Sequence, residues 1–184
     1  TSSRCNIGGM VGNNSCGAHS LIYGSTRDHL FAVKGLLSDG SDVEFKQLCR
    51  AAFREKMTLE NLEGNIYRNI REILSDENNQ FSIVQEFPDP AIKRRNTGYA
   101  IDLLMRAEPF TGGEQFNFCK IIAGSEGTLA LLTEIKLNLV PLPPKEKALV
   151  CVHCKSLEDS LKANLVALRH APVSVELMDK AILD

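Results

Sequence analysis

Four glycines stand with Asn13, Asn14 and Ser15 inside the thirteen positions of Cys5-Asn-Ile-Gly-Gly-Met-Val-Gly-Asn-Asn-Ser-Cys-Gly17. Glycine has no Cβ, reaches φ > 0 at little cost and lets backbone N–H groups approach a bulky anion such as a pyrophosphate. Two phosphate fingerprints fail on spacing. There is no Gly-x4-Gly-Lys-Ser/Thr, and Gly9, Gly12 and Gly17 do not fit Gly-x-Gly-x-x-Gly, which argues against a P-loop nucleotidase and a nicotinamide-binding turn. A second cluster, Gly124-Ser-Glu-Gly-Thr128, again joins glycines to small hydroxyl side chains, and the two clusters could line one ligand. Glu126 offers a carboxylate between two glycines, for a ribose or amide donor or for its own loop.

Other residues with chemical capacity read as structural. Cys151-Val-His-Cys154 has a Cys-x-x-Cys pair but no second pair to complete four zinc ligands, and on a strand Cys154 would face away from Cys151 and His153. His19 and His29 flank the first cluster, where either could touch a cofactor or serve packing. Nothing places a histidine beside a nucleophile, so no catalytic residue is assigned.

These residues must be held by folded elements, and the composition allows them. The 184 residues are 43% apolar and 24% charged with a formal net charge of −2, enough for a packed core and without a general pull toward nucleic acid. Lys93-Arg94-Arg95 is the one compact basic run and reads as a solvated loop. No window of about 18 apolar residues marks a transmembrane helix, and no signal-peptide layout opens the chain. Six scattered cysteines fit reduced thiols in a cytosol better than a disulfide framework, and Asn13-Asn14-Ser15 reads as an accidental glycosylation match.

Residues 1–27 read as a long binding loop. His29–Leu37 and Asp42–Phe45 form a hairpin around Asp39-Gly40. Leu48, Ala51, Ala52, Leu59, Leu62, Ile66, Ile70, Ile73 and Leu74 recur at helical spacing and predict two or three amphipathic helices to about residue 86, with a cap within Thr58–Asn61. Gly98–Met105 allows a short helix. Ile135, Leu137 and Leu139 alternate with Lys136 and Asn138 as a half-buried strand. Pro141-Leu-Pro-Pro144 marks a boundary. Beyond it the spacing predicts a β-α-β tail: strands at 148–153 and 173–177 around a helix over 156–170, capped by Ser156.

The segment Ile7–Gly17, continued by His19-Ser-Leu-Ile-Tyr-Gly24 and Thr26-Arg-Asp28, resembles the flavin-binding core of the FAD-linked oxidases. That family includes glycolate oxidase flavoprotein subunits, D-lactate dehydrogenases and D-2-hydroxyglutarate dehydrogenases. Asn96-Thr-Gly-Tyr99 and Gly124–Glu134 are similar to later signatures of that family, in the same order. Cys5-Asn6, Ala100 and Ala130 depart from its usual residues.

The resemblance implies an α+β fold: residues 1–142 as the C-terminal half of an FAD-binding PCMH-type domain, a mixed or antiparallel sheet with flanking helices and a helical insert at 47–90. It implies that 145–184 begin a substrate cap domain. Gly8, Gly9, Asn13, Ser15 and Gly17 would contact the pyrophosphate and ribityl part of FAD, with Ile7, Asn14, Tyr23 and Gly24 in the same binding set. Gly124, Glu126, Gly127 and Thr128 would line the wall nearer the rest of the cofactor.

The implied activity is oxidation of a small D-2-hydroxy acid of the lactate, glycolate or 2-hydroxyglutarate class to the 2-oxo acid. Electrons would pass to an unidentified acceptor other than nicotinamide. A flavin oxidase of another alcohol or sugar, and a non-catalytic module that keeps the fold without flavin, are the alternatives. The family's first phosphate loop and its histidine-rich cap motif are not in this stretch, so the resemblance implies an internal fragment, inactive and weak in FAD binding by itself. An iron–sulfur cluster or divalent metal would lie outside it. The parent is expected in the cytoplasm, or peripheral to the inner membrane.

Overall fold

The hairpin forms where the turn chemistry places it. In a computed structural model that describes residues 4–92, 95 and 98–183, β1 (Leu30–Leu36) pairs antiparallel with β2 (Asp42–Phe45). Gly40 takes φ +82°, and the Asp39 carboxylate accepts hydrogen bonds from the Ser41 N–H at 3.0 Å and hydroxyl at 2.6 Å. The predicted strand near Ile135 is β3 (Leu131–Leu137), antiparallel to the other side of β1, so the sheet order is β2-β1-β3. Leu30 and Val33 are both buried although an odd spacing separates them, because a register shift between Leu30 and Ala32 turns the strand. A second shift falls at Lys34/Gly35, where a Cβ on Gly35 would stand 2.3 Å from the Leu131 carbonyl oxygen. Only glycine fits that approach.

The helical stretch contains three helices as the periodicity requires: α4 (Arg50–Met57), α5 (Leu62–Ser75) and α6 (Glu77–Glu86). Asn61 caps α5 by accepting from the Gly64 N–H at 3.0 Å, and Asp76 caps α6 by accepting from Asn79 at 2.9 Å. An aromatic cluster fastens these helices to the sheet. Phe53 meets Phe116 edge-on at 4.8 Å between centroids, Tyr67 meets Phe118 at 4.9 Å, and Phe118 meets Phe45 of β2 at 5.1 Å. Phe53, Tyr67 and Phe116 are almost wholly buried, so the stretch read as an insert supplies the centre of the core. Two short helices complete that layer: α8 (Cys119–Ile122) packs on β1, and α7 (Ile101–Met105) packs between α8 and α6.

The architecture is α+β, as expected, but two local expectations are corrected. The described part of the predicted loop, residues 4–27, is not irregular; it contains α1 (Ile7–Gly12), α2 (Ser20–Tyr23) and the start of α3 (Thr26–His29). In the tail, α9 (Leu157–Leu168) forms with Ser156 accepting from the Asp159 N–H at 3.1 Å, and α10 (Lys180–Leu183) follows. The strands predicted at 148–153 and 173–177 are absent. Alternating apolar residues become a strand only beside a partner that takes up their N–H and C=O groups. Among the described residues no strand lies alongside them, and Leu149 and Val150 are 89% and 80% exposed.

Phe116→Ala is expected to destabilise the protein by about 3–5 kcal/mol, because the ring is central to the aromatic cluster and a cavity would remain; urea unfolding measures this. Burial pushes the Cys119 thiol up to about 12, so it stays protonated at neutral and mildly alkaline pH. Its Sγ also donates to the Phe45 carbonyl at 3.4 Å. Alkylation at pH 8 followed by peptide mass mapping should modify the exposed Cys5, Cys49, Cys151 and Cys154 while sparing Cys119 until the protein unfolds.

Candidate functional site

The first glycine cluster is shaped by how α1 ends. Asn14 adopts the left-handed conformation at φ +48°, the Ser15 N–H returns to the Met10 carbonyl at 2.9 Å, and the Asn14 N–H returns to Val11 at 3.0 Å. This is a Schellman termination with asparagine in the position that glycine usually fills. The Asn14 amide oxygen then accepts the Arg27 N–H at 2.8 Å, tying the end of α1 to the start of α3. A capping box opens α3: the Asp28 carboxylate accepts from the Ser25 N–H at 2.7 Å. Gly24 is fixed here by its φ of +78° and by Asp28, whose carboxylate oxygen would lie 2.6 Å from an added Cβ.

Arg27 joins this segment to the rest of the site. Its side chain is buried, donating from Nε and Nη2 to the Ala123 carbonyl at 3.2 and 2.6 Å and from Nη2 to the Gly98 carbonyl at 2.9 Å. The second cluster follows Ala123 directly, with Gly124, Glu126 and Gly127 at φ of +95°, +52° and +76°. Its Gly124 and Glu126 N–H groups reach the Val11 and Gly12 carbonyls, each at 3.0 Å. The two clusters are thereby stitched together, over a hundred residues apart in sequence. They enclose a cavity of about 240 Å³ lined by Asn13, Asn14, Arg27, Gly98, Gly124 and Glu126.

The Gly98–Tyr99 arm closes one side. The Tyr99 hydroxyl donates to Thr128 Oγ1 at 2.5 Å, and Thr128 in turn donates to the Ser125 carbonyl at 2.5 Å. Asn96 and Thr97 of the same motif lie outside the described residues, as do Lys93 and Arg94 of the basic run. Arg95 corrects the reading of that run as a solvated loop. It is 10% exposed and pairs with Asp102 Oδ2 at 2.6 Å, while Arg106 Nη1 stands 3.9 Å from the same oxygen.

The predicted site residues separate into two groups. Asn13, Asn14, Gly124 and Glu126 line the cavity, whereas Gly127 follows in the same turn and Thr128 is bonded to Tyr99 and Ser125. Ile7, Gly8, Gly9 and Gly17 lie on exposed surface, Tyr23 uses its carbonyl to accept from His29 Nε2 at 2.5 Å, and Ser15 uses its carbonyl to accept the Thr26 N–H and hydroxyl. Several backbone donors expected for an anion are engaged within the chain: those of Gly17, to Ser20 Oγ at 2.9 Å, and of Gly124, Glu126 and Thr128.

Gly8 and Gly9 sit in a helix at ordinary φ, and an added Cβ at either would meet nothing within 4 Å. Neither turn geometry nor internal packing requires glycine there, whereas a large flat or phosphorylated ligand lying on that face would. Gly8 and Gly9 thus leave an open face on α1. Among the described residues, no group of three or more His, Cys, Asp or Glu side chains is placed to hold a metal ion, and no helix is long and apolar enough to cross a membrane.

Sequence reasoning missed Arg27 and Asp102 as site residues. Arg27 stands among Ser, Thr and Asp with nothing local to signal burial. Burial, and then Arg95 nearby, lower its pKa from the ordinary arginine value, while Asp28 and Asp102 pull the other way.

Comparison with known proteins extends the resemblance. Over 183 residues the chain is 31% identical to D-2-hydroxyglutarate dehydrogenase of Pseudomonas putida, and over 188 residues 29% identical to that of Escherichia coli. In both cases all of this chain but 17% of the relative is covered. D-lactate dehydrogenase of Archaeoglobus fulgidus is 20% identical over 179 residues, with 97% of this chain and 27% of the relative covered. No family model and no solved structure matches the chain. Over its whole length the chain is thus similar to D-2-hydroxyglutarate dehydrogenases, and it spans 17% of the length of these relatives.

Proposed function

We propose that the chain is an internal part of a flavin-dependent dehydrogenase that oxidises a D-2-hydroxy acid to the 2-oxo acid. The observation that carries this reading is the meeting of the two glycine clusters around one cavity, beside two helical glycines whose missing side chains serve no packing within the chain. The names of the relatives support the substrate class. In this reading residues 1–142 are the C-terminal half of an FAD-binding PCMH-type domain and 145–184 begin a substrate cap.

When bound, FAD supplies the redox chemistry, taking up the two electrons released as the alcohol becomes a ketone. The chain's own residues bind and orient it. Gly8 and Gly9 leave α1 bare for close approach, Asn13 and Glu126 offer polar groups at the cavity, and Arg27 holds the two walls at fixed separation. Thr128 and Tyr99 keep the covering arm in place. The substrate-contacting groups belong to other parts of the parent, and its electron acceptor is one that does not require a nicotinamide fingerprint.

The purified full-length protein should show bound flavin in its visible spectrum, and adding D-2-hydroxyglutarate or D-lactate should bleach it. Absence of stoichiometric flavin, or no bleaching by any 2-hydroxy acid, overturns the reading. A sharper expectation concerns Gly8→Ala and Gly9→Ala. Each should leave stability unchanged or raise it by up to about 1 kcal/mol, since alanine favours a helix. Each should nevertheless weaken FAD binding by about tenfold, read by fluorescence titration of the apoprotein.

A further inference from the structure

Ahead of the tail, the most exposed large apolar side chain is that of Phe81, 66% open to solvent. It lies on α6, two residues from the buried Ile83 and so on the opposite side of the helix. Glu77, Phe81 and Val84 stand at i, i+4 and i+7 as one outward stripe of α6, with Val84 57% exposed. The inward side is fastened separately. Asn79 Nδ2 and Gln80 Nε2 donate to the Ile73 and Leu74 carbonyls at the end of α5, at 3.0 and 2.8 Å. The outward stripe is therefore a fixed surface whose apolar side chains take no part in the core.

The charge around this stripe has one sign. Residues 72–92 contain Glu72, Asp76, Glu77, Glu86 and Asp89 and no lysine, arginine or histidine. The whole chain carries only −2, so these carboxylates are a local concentration and not a reflection of composition. All of them are exposed, and among the described residues none forms an ion pair. Asp76 and Asp89 serve local turns, accepting from the Asn79 and Ala91 N–H groups at 2.9 and 2.8 Å. Glu77 in the first turn suits the helix dipole. Glu86 ends α6, where a carboxylate is disfavoured, and neither α5 nor α6 has a base in its last turn. Local stability thus accounts for part of the charge and for none of the exposure of Phe81.

We propose that this face of α6 docks a separate protein through a helix that presents an aliphatic stripe flanked by lysine and arginine. Phe81 and Val84 supply the apolar centre, and the surrounding carboxylates supply a rim opposite in sign to the partner. The charge argues against two other occupants. A second copy of α6 laid on the first would set carboxylates against carboxylates. Permanent cover by a neighbouring domain would take unpaired carboxylates out of water, which is strongly unfavourable. An apolar centre of two side chains suits a small, reversible interface. The docking face needs no cofactor and stands independently of the flavin reading.

The test uses the full-length protein and a fluorescein-labelled amphipathic helical peptide of leucine and lysine, with glutamate in place of lysine in a control peptide. Anisotropy titration at low salt should show the lysine peptide binding at least about tenfold more tightly than the glutamate peptide, and added salt should weaken it. Phe81→Ser, and separately Glu77→Lys combined with Glu86→Lys, should each weaken the lysine peptide about tenfold. Leu161→Ser, at an exposed side chain of α9, should leave it unchanged. Thermal melts check that the variants fold; should Phe81→Ser not fold, the double lysine variant decides. Equal binding of the two peptides, no change in the α6 variants, or an equal loss in Leu161→Ser overturns the proposal. Phe81→Cys should react with a maleimide as fast as an exposed thiol. Slow labelling overturns the proposal by showing that the parent itself covers the face. Self-association abolished by Phe81→Ser, read by sedimentation, overturns it by giving the face to a second copy.

Discussion

The buried Arg27 guanidinium is the constraint on which the site depends. Its hydrogen bonds to Ala123 and Gly98, with its own N–H on Asn14, hold three segments that no secondary-structure ladder joins. A lysine could supply the charge but not the planar fork that reaches two carbonyls at once. Around this point the backbone adopts conformations that cost energy for residues with side chains, at Asn14 and Glu126. Both lie at the cavity, and both are held by hydrogen bonds of the surrounding backbone: Asn14 by the turn at the end of α1, Glu126 by its N–H on Gly12.

A site stitched by side chains and loops needs a rigid base, and the aromatic cluster provides it. Phe53 and Tyr67 come from the helices, Phe116 and Phe118 from the segment leading into α8, and Phe45 from the sheet. Because α8 runs directly into Ala123 and Gly124, the packing that fixes Phe118 and Cys119 also fixes the carbonyl that Arg27 grips. The helical stretch therefore stabilises the cavity from behind without lining it. The tail contrasts with this base: the apolar side chains of α9, such as Leu161 and Leu165, remain more than half exposed.

Much of the architecture was legible in the chain. Asp39-Gly40 marked the hairpin, the helical spacing from Leu48 to Leu74 marked the helices, and Ser156 with Asp159 marked the start of α9. Composition allowed the two glycine clusters to line one ligand, and the family resemblance paired them. The first was misread as irregular because glycine and asparagine are poor helix formers, and the burial of Val11 against the second cluster overrode that propensity. Arg95 was misread because a run of like charges usually belongs in water. The strands of the tail were expected from alternation, which describes the faces of a strand but does not supply its neighbour.

By itself, the sequence determined features governed by adjacent residues: turns, caps, helical faces and the absence of side chains at Gly8 and Gly9. Those follow from local sterics and from hydrogen bonds spanning a few residues. The tertiary structure alone decided that Arg27 is buried, that Asp102 is shared by two arginines, and that the glycine clusters enclose one cavity. Arg27 and the Ala123 carbonyl are 96 residues apart, and the environment of a charge is set by whichever chain segments close around it. Local pattern carries no record of that enclosure, because burial is a property of the assembled core.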